Sequence, residues 1–256
     1  LKNYIKTEFC RAFLSKSALI SFIITLLVLF LAFLEFVHFP SYSINSLKDR
    51  YDAVYLFMRI RHSTRASILV LIAPLLSSLV FSDSYLLDME SGFLKFIYLR
   101  LNQKKYIWTK IIINSIVSGL IISLASLVML IFLICIYGIK EVNTVYLGPF
   151  GWIYLKSRLL YAIFLILISF IFNVVFANLA LGISPWIKNR YLTIIFPFFY
   201  YIISGTLLPF SLNGTILFTL NPQVTELHII IYQLGLFLIG VVLFYLGVVV
   251  KNEKNI

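Results

Sequence analysis

Charge is what this chain lacks most. Only 12% of its 256 residues are Asp, Glu, Lys or Arg, where a soluble domain carries roughly a quarter. Acids are scarcer still, 10 against 21 basic residues, for a formal net charge of +11. In a soluble protein that imbalance would raise nucleic acid as a partner. In this apolar context the basic residues are read as flanks of membrane spans that meet anionic headgroups, and no nucleic acid is expected. Cysteine is rare as well: Cys10 and Cys135 alone make neither a disulfide framework nor a metal site. Catalytic signatures are missing. There is no GxxxxGK[ST] loop to cradle nucleotide phosphates, no HExxH and no GxSxG. The three histidines, His38, His62 and His228, are scattered along the chain. The chain is therefore not expected to be an enzyme, and no cofactor or metal is expected on it.

Apolar residues are what it has in excess, 61% of positions, with a mean hydropathy of +1.01. That surface exceeds what one water-soluble core could bury, so lipid must cover part of it. A helix needs about 20 apolar residues to cross the hydrocarbon core. Six segments come close: Ser17–Phe39, Ala66–Leu87, Ile111–Tyr137, Leu159–Ile183, Leu192–Phe210 and Ile229–Val250. Pro74 lies inside the second, whose far end is interrupted by Asp83 and Ser84, and Pro197 bends the fifth. The first run is too long for a signal peptide and reads as a retained span. The expected fold is a single all-α transmembrane domain covering residues 1–256.

An even number of spans places both termini on one side. With the termini inside, 13 of the 21 basic residues face the cytoplasm and 21 − 13 = 8 face outward, the sense of the positive-inside rule. Lys48, Arg50, Arg59, Arg61 and Arg65 in the first outer loop run against it. Residues 1–16 place Leu1, Ile5, Phe9 and Phe13 on one helical face, the pattern of an interfacial amphipathic helix or of a lead-in helix touching a soluble partner. Tyr51–Arg65 carries a weaker stripe, read as a surface helix or a patch facing cargo. Glu35, with His38 one turn on, is the one ionisable group placed within a span. The pair reads as an interfacial polar contact, or as a contact to substrate or to a dimer partner. Without a midplane carboxylate, ion-coupled transport is disfavoured. Asn173 and Asn178 read as hydrogen-bond partners between helices. Trp108, Trp152 and Trp186 fall near span ends, as an aromatic belt would.

Residues 83–110 carry the most information. From Leu86 the sequence runs LLDMESGFLKFIYLRLNQKKYIWTK. It combines acids (Asp88, Glu90), a Ser91-Gly92 step, an apolar patch (Phe93, Leu94, Phe96, Ile97) and bases (Arg100, Lys104, Lys105, Lys110), as a short helix docking into a cleft on a soluble partner would. Here the sequence resembles the ABC-2 family of ABC-transporter permeases. Glu90, Gly92, Leu94 and Lys95 match the first part of that family's loop, and Arg100, Lys104 and Lys110 follow the rest, with Phe93 and Thr109 departing from it. Ser204-Gly205-Thr206-Leu207-Leu208-Pro209, followed by Leu220-Asn221-Pro222, is similar to its Ser-Gly…Pro…Asn-Pro signature. The order of basic lead-in, six spans, long inner loop and short outer re-entrant segment (211–228) extends the resemblance to the whole chain.

The resemblance implies a six-helix ABC-2 (type V exporter) permease in a bacterial plasma membrane. It would pair with a second permease subunit, a homodimer before a heterodimer, and with two copies of a separate ABC ATPase that binds ATP and Mg. Residues 83–110 would be the coupling-helix loop, with Glu90, Gly92, Phe93 and Lys95 passing ATPase closure to the spans. Gly205, Pro209, Asn221 and Pro222 would shape an outer gate. The implied cargo is amphipathic, a toxin or antimicrobial peptide, with drug or lipid export as the alternative. Outside the family, an ion-coupled secondary transporter or an intramembrane enzyme are the rival readings.

Overall fold

The computed structural model describes residues 2–38, 52–61, 66–139, 149–207 and 225–254, and these are helical throughout apart from short turns. Eleven helices follow in order: α1 (Lys2–Phe13), α2 (Lys16–His38), α3 (Ala53–Arg61), α4 (Ala66–Phe81), α5 (Ser84–Glu90), α6 (Phe93–Arg100), α7 (Gln103–Tyr137), α8 (Gly151–Lys156), α9 (Arg158–Ile183), α10 (Arg190–Leu207) and α11 (Glu226–Lys254). Among the described residues, five stretches are long and apolar enough to cross a membrane: Lys16–Glu35, Ile68–Glu90, Gln103–Tyr137, Arg158–Ile183 and Glu226–Val250. The chain is thus a multi-pass, all-α membrane protein. The expected fifth span is not among the five. Its helix, α10, is described over 18 residues with Pro197 inside and Arg190 at its head, and residues 208–210 of the expected span lie outside the described residues.

Helix α9 is the central post, packed against α3, α4, α7, α8, α10 and α11. Helix α7 lies beside it and carries α1, α2 and α3 on its other flanks. Small residues set how closely these helices approach, as they must where lipid supplies no hydrophobic push between helices. A Cβ on Gly182 of α9 would sit 2.5 Å from the Gly240 carbonyl oxygen of α11. One on Gly240 would sit 2.7 Å from the Asn178 backbone. The obstruction is backbone in both cases, so it cannot rotate away. Gly119 of α7 receives the Phe170 ring in the same manner.

Helix α3 corrects the reading of Tyr51–Arg65 as a surface stripe. Ala53, Val54, Leu56, Phe57 and Ile60 are fully buried, enclosed by α2, α7 and α9. Its open side is narrow, with Arg59 exposed and Tyr55 and Met58 half-buried, so the stripe read from the sequence marks the edge of a buried helix. The Asp52 carboxylate caps its first turn, accepting from the Tyr55 amide at 2.9 Å. The guanidinium of Arg158 lies 3.7 Å from the same carboxylate. Burial pulls the Arg61 pKa down to about 10, so this arginine stays cationic at neutral pH. At the same end Phe150 starts α8 with a left-handed φ of 60°, held by a 2.6 Å bond from its amide to the Glu226 carboxylate of α11.

Trp108, Trp152 and Trp186 are each about half exposed, at 51%, 60% and 52%, as aromatic anchors at a headgroup layer are. Gly240→Val should force α9 and α11 apart and lower stability by about 1–3 kcal/mol. Gly235→Val on the same helix, whose added Cβ would meet nothing within 4 Å, should change it little. Thermal unfolding of the two variants in one detergent is the comparison, and equal melting would show that the glycine contact does not set this packing.

Candidate functional site: a buried ion cluster and the hairpin above it

The segment read as a long loop over residues 83–110 is helical over most of its length. Helix α4 ends at Phe81, a two-residue turn follows, and α5 and α6 form a hairpin before α7 begins at Gln103, eight residues ahead of the expected span start at Ile111. The hairpin turns on Gly92, whose φ of +69° is the left-handed conformation that L side chains rarely adopt. Its amide donates to the Met89 carbonyl at 3.1 Å. Asn102 then caps α7 by accepting from the Lys104 amide.

Early helix in α7 carries Lys110 into the protein interior. The Lys110 side chain has no solvent exposure, and its Nζ lies 2.6 Å from Glu8 Oε2 of α1 and 2.7 Å from Asp88 Oδ2 of α5. Arg11 of α1 closes the circuit, with Nη1 at 2.8 Å from Asp88 Oδ1 and 3.1 Å from Glu8 Oε1. The Tyr106 hydroxyl donates to Asp88 Oδ2 at 3.0 Å. Two acids and two bases balance, each carboxylate accepts from both cations, and the Phe81 ring lies 5.0 Å from the Lys110 ammonium. Burial disfavours charge on Arg11, but its bond to Asp88 and the fields of Asp88 and Glu8 outweigh that and raise its pKa. Burial and the same two carboxylates raise the Tyr4 phenol, and burial, with Tyr85 and Asp88, raises that of Tyr98. Both stay neutral at physiological pH.

Polar contacts continue from this cluster into the bundle. Asn114, one turn past Lys110, donates to the Ala177 carbonyl of α9 at 2.9 Å, and Ser82 donates to the same oxygen at 3.0 Å. Asn178 donates to Ser115 of α7 at 2.7 Å, as a bond between helices. Asn173 instead donates to Ser169 of its own helix at 2.6 Å. Asp83, at the break between α4 and α5, takes both Nε and Nη2 of Arg190 at 3.1 and 2.7 Å. The acids that interrupt the second span are therefore fixed, one to α10 and one to α1 and α7.

The residues proposed to couple sit on the hairpin. Glu90 and Lys95 are exposed, Gly92 is half-buried at the turn and Phe93 is 49% exposed. Phe96 at 65% and Leu99 at 83% continue the outward face of α6, while Leu94, Ile97 and Tyr98 pack inward with α7 and α11. The other expected residues are not brought to this place. Glu35 is half-buried near the end of α2 away from α1, and His38 closes that helix. Gly205 is half-buried near the end of α10. Pro209, Asn221 and Pro222 lie outside the described residues. No group of three metal-ligating side chains occurs among the described residues. A groove of about 500 Å³ between α9 and α11 has Phe164, Ile171, Leu234 and Phe237 in its walls, with no reactive group. Comparison with protein-family models, with curated proteins and with solved structures finds no match.

Sequence reasoning did not single out Glu8, Arg11, Tyr106 and Lys110 as a set, and it named Glu35 as the one ionisable group within a span. A signal was present. Tyr106, Lys110, Asn114 and Ser118 recur every four residues at the head of an apolar run, which puts them on one helix face. Glu8 is likewise the single acid of a basic lead-in helix.

Removing one member leaves a buried charge without its partner, which costs about 3–5 kcal/mol. Lys110→Met should therefore destabilise strongly, and Lys110→Met with Glu8→Gln, which restores the balance, should recover much of the loss. A double-mutant cycle by thermal or denaturant unfolding checks this, and simple additivity of the two changes would show that Lys110 and Glu8 are not coupled.

Proposed function

We propose that this chain is the permease subunit of an ATP-driven exporter in a bacterial plasma membrane. It works beside a second permease, in the simplest case another copy of itself, and on two copies of a separately encoded ATPase. The observation that carries the reading is the α5–α6 hairpin. It is a helical projection between two membrane helices, with an outward face of Phe93, Phe96 and Leu99 flanked by Lys95. Apolar knobs ringed by charge are what a docking helix offers to a cleft on a soluble protein. Its root at Asp88 is clamped to α1 and α7 by the ion cluster, so a push on the knobs would pass into the spans rather than be lost in a loose loop. The chain has no nucleotide-binding loop of its own, and ATP and Mg would belong to the partner.

In this reading α10 and the residues after it complete a sixth span. Gly205, Pro209, Asn221 and Pro222 form the outer gate, both termini face the cytoplasm, and the cargo is amphipathic, a toxin or antimicrobial peptide before a drug or a lipid. One observation favours a second reading, ion-coupled transport: the buried Glu8, Asp88 and Lys110 are ionisable groups within reach of the spans, where such transporters keep theirs.

Phe96→Asp separates the two. Phe96 is exposed, so the variant should fold and melt as the parent does. Loss of a central apolar anchor costs about 2 kcal/mol, or roughly 30-fold in affinity for the ATPase. Co-purification with that ATPase and ATP-dependent export should fall together. Transport by this chain alone in liposomes, driven by a proton gradient without ATP, would overturn the exporter reading in favour of the second.

A further inference from the structure

Where α1 crosses the start of α7, a cleft of about 230 Å³ is walled by Ile5 on one side and by Trp108, Ile112 and Ile113 on the other, with Lys104 and Lys105 also in its lining. No acid lines it. Glu8 of α1 and Asp88 of α5 are taken up by Lys110 and Arg11, and the exposed Glu90 of α5 is not in the cleft lining. Lys104 and Lys105 are exposed and form no ion pair among the described residues. The 35 residues of α7 span about 52 Å, well over the roughly 30 Å hydrocarbon core. Its first turns therefore stand at headgroup level, with Trp108 one turn deeper, where an interfacial tryptophan belongs. The cleft thus runs from the two exposed lysines at its mouth to a wall of Ile5, Trp108, Ile112 and Ile113, where the Thr109 hydroxyl is turned to the Lys105 carbonyl of its own helix.

We propose that this cleft binds one anionic phospholipid of the surrounding leaflet. The phosphate meets the Lys104 and Lys105 ammonium groups, and an acyl chain runs between Ile5 and the Trp108–Ile112 face of α7. Charge selects the headgroup: two cations with no neighbouring acid favour a net negative lipid over a zwitterionic one, whose own cation they would repel. The apolar wall selects a lipid over a free anion, because it offers water nothing to bond and hydrocarbon a full contact surface. Since Ile5 belongs to α1 and the rest to α7, the lipid joins the two helices that the ion cluster joins from the opposite face. The site requires only that the chain lie in a bilayer and is independent of the exporter reading.

The test is lipid retention by the full chain, extracted from membranes and measured by native mass spectrometry against added phosphatidylglycerol or phosphatidylcholine. Phosphatidylglycerol should bind preferentially. Each basic side chain near an anionic headgroup contributes roughly fivefold in affinity, so Lys104→Gln with Lys105→Gln should weaken binding roughly 25-fold. Lys16→Gln with Lys188→Gln removes the same charge from exposed positions elsewhere and should leave binding unchanged. Soluble glycerol phosphate in excess should not displace the lipid. Equal retention of the two lipids, equal effects of the two double variants, or displacement by glycerol phosphate would each overturn the site.

Discussion

A lysine ammonium without solvent exposure can persist inside a protein only if its partners are fixed, and Lys110 is held between Glu8 and Asp88 at 2.6 and 2.7 Å. Those carboxylates come from two elements otherwise distant in sequence, a lead-in helix and the root of a hairpin. Neither element is long enough to hold its own place. Helix α1 has 12 residues and α5 has 7, lengths at which an isolated helix is marginal in water. Each is positioned because moving it would strand a buried charge, a cost of several kcal/mol. Arg11 reaches across both acids from the half-exposed edge, so the cluster is closed as well as neutral.

The hairpin depends on that clamp in a way its own sequence does not reveal. Leu94, Ile97 and Tyr98 give α6 an inward apolar face, and Phe93, Phe96 and Leu99 an outward one. With apolar residues on both sides, helix periodicity alone does not say which side is covered. The choice is made by the left-handed turn at Gly92 and by Asp88, one turn before it, which is tied to α1 and α7. At the break before α5 the Asp83–Arg190 pair does the same for α10. Asp83 and Asp88, near the end of the second span, are therefore anchors for neighbouring helices.

Deeper in the bundle ionic contacts give way to neutral polar bonds and close backbone approach. Asn114, Ser82 and the Ala177 carbonyl join α7, the turn after α4 and α9 at one level, and Gly182 and Gly240 bring α9 and α11 into contact. Both devices suit a lipid environment, where apolar side chains gain nothing by leaving hydrocarbon for one another. Helices α2 and α11 flank this centre and leave most of their apolar residues at least partly exposed.

The sequence by itself determined that the chain is a helical membrane protein and where most of its long helices lie, because both follow from local composition: runs of about 20 apolar residues have few other fates. It also marked the Ser91-Gly92 step, which the structure makes the turn of the hairpin, and the interruption of the second span at Asp83. The fifth expected span, Leu192–Phe210, had a weaker local basis: Arg190 stands at the head of α10 and Pro197 lies inside it. Only the tertiary structure decided that α3 is buried, that α7 begins at Gln103, and that Glu8, Arg11, Asp88 and Lys110 form one cluster. The physical reason is range. Hydropathy and helix periodicity are properties of neighbours in the chain, whereas the ion pair that accompanies the burial of Lys110 is made with a carboxylate 102 residues away, and nothing local to either residue specifies the other.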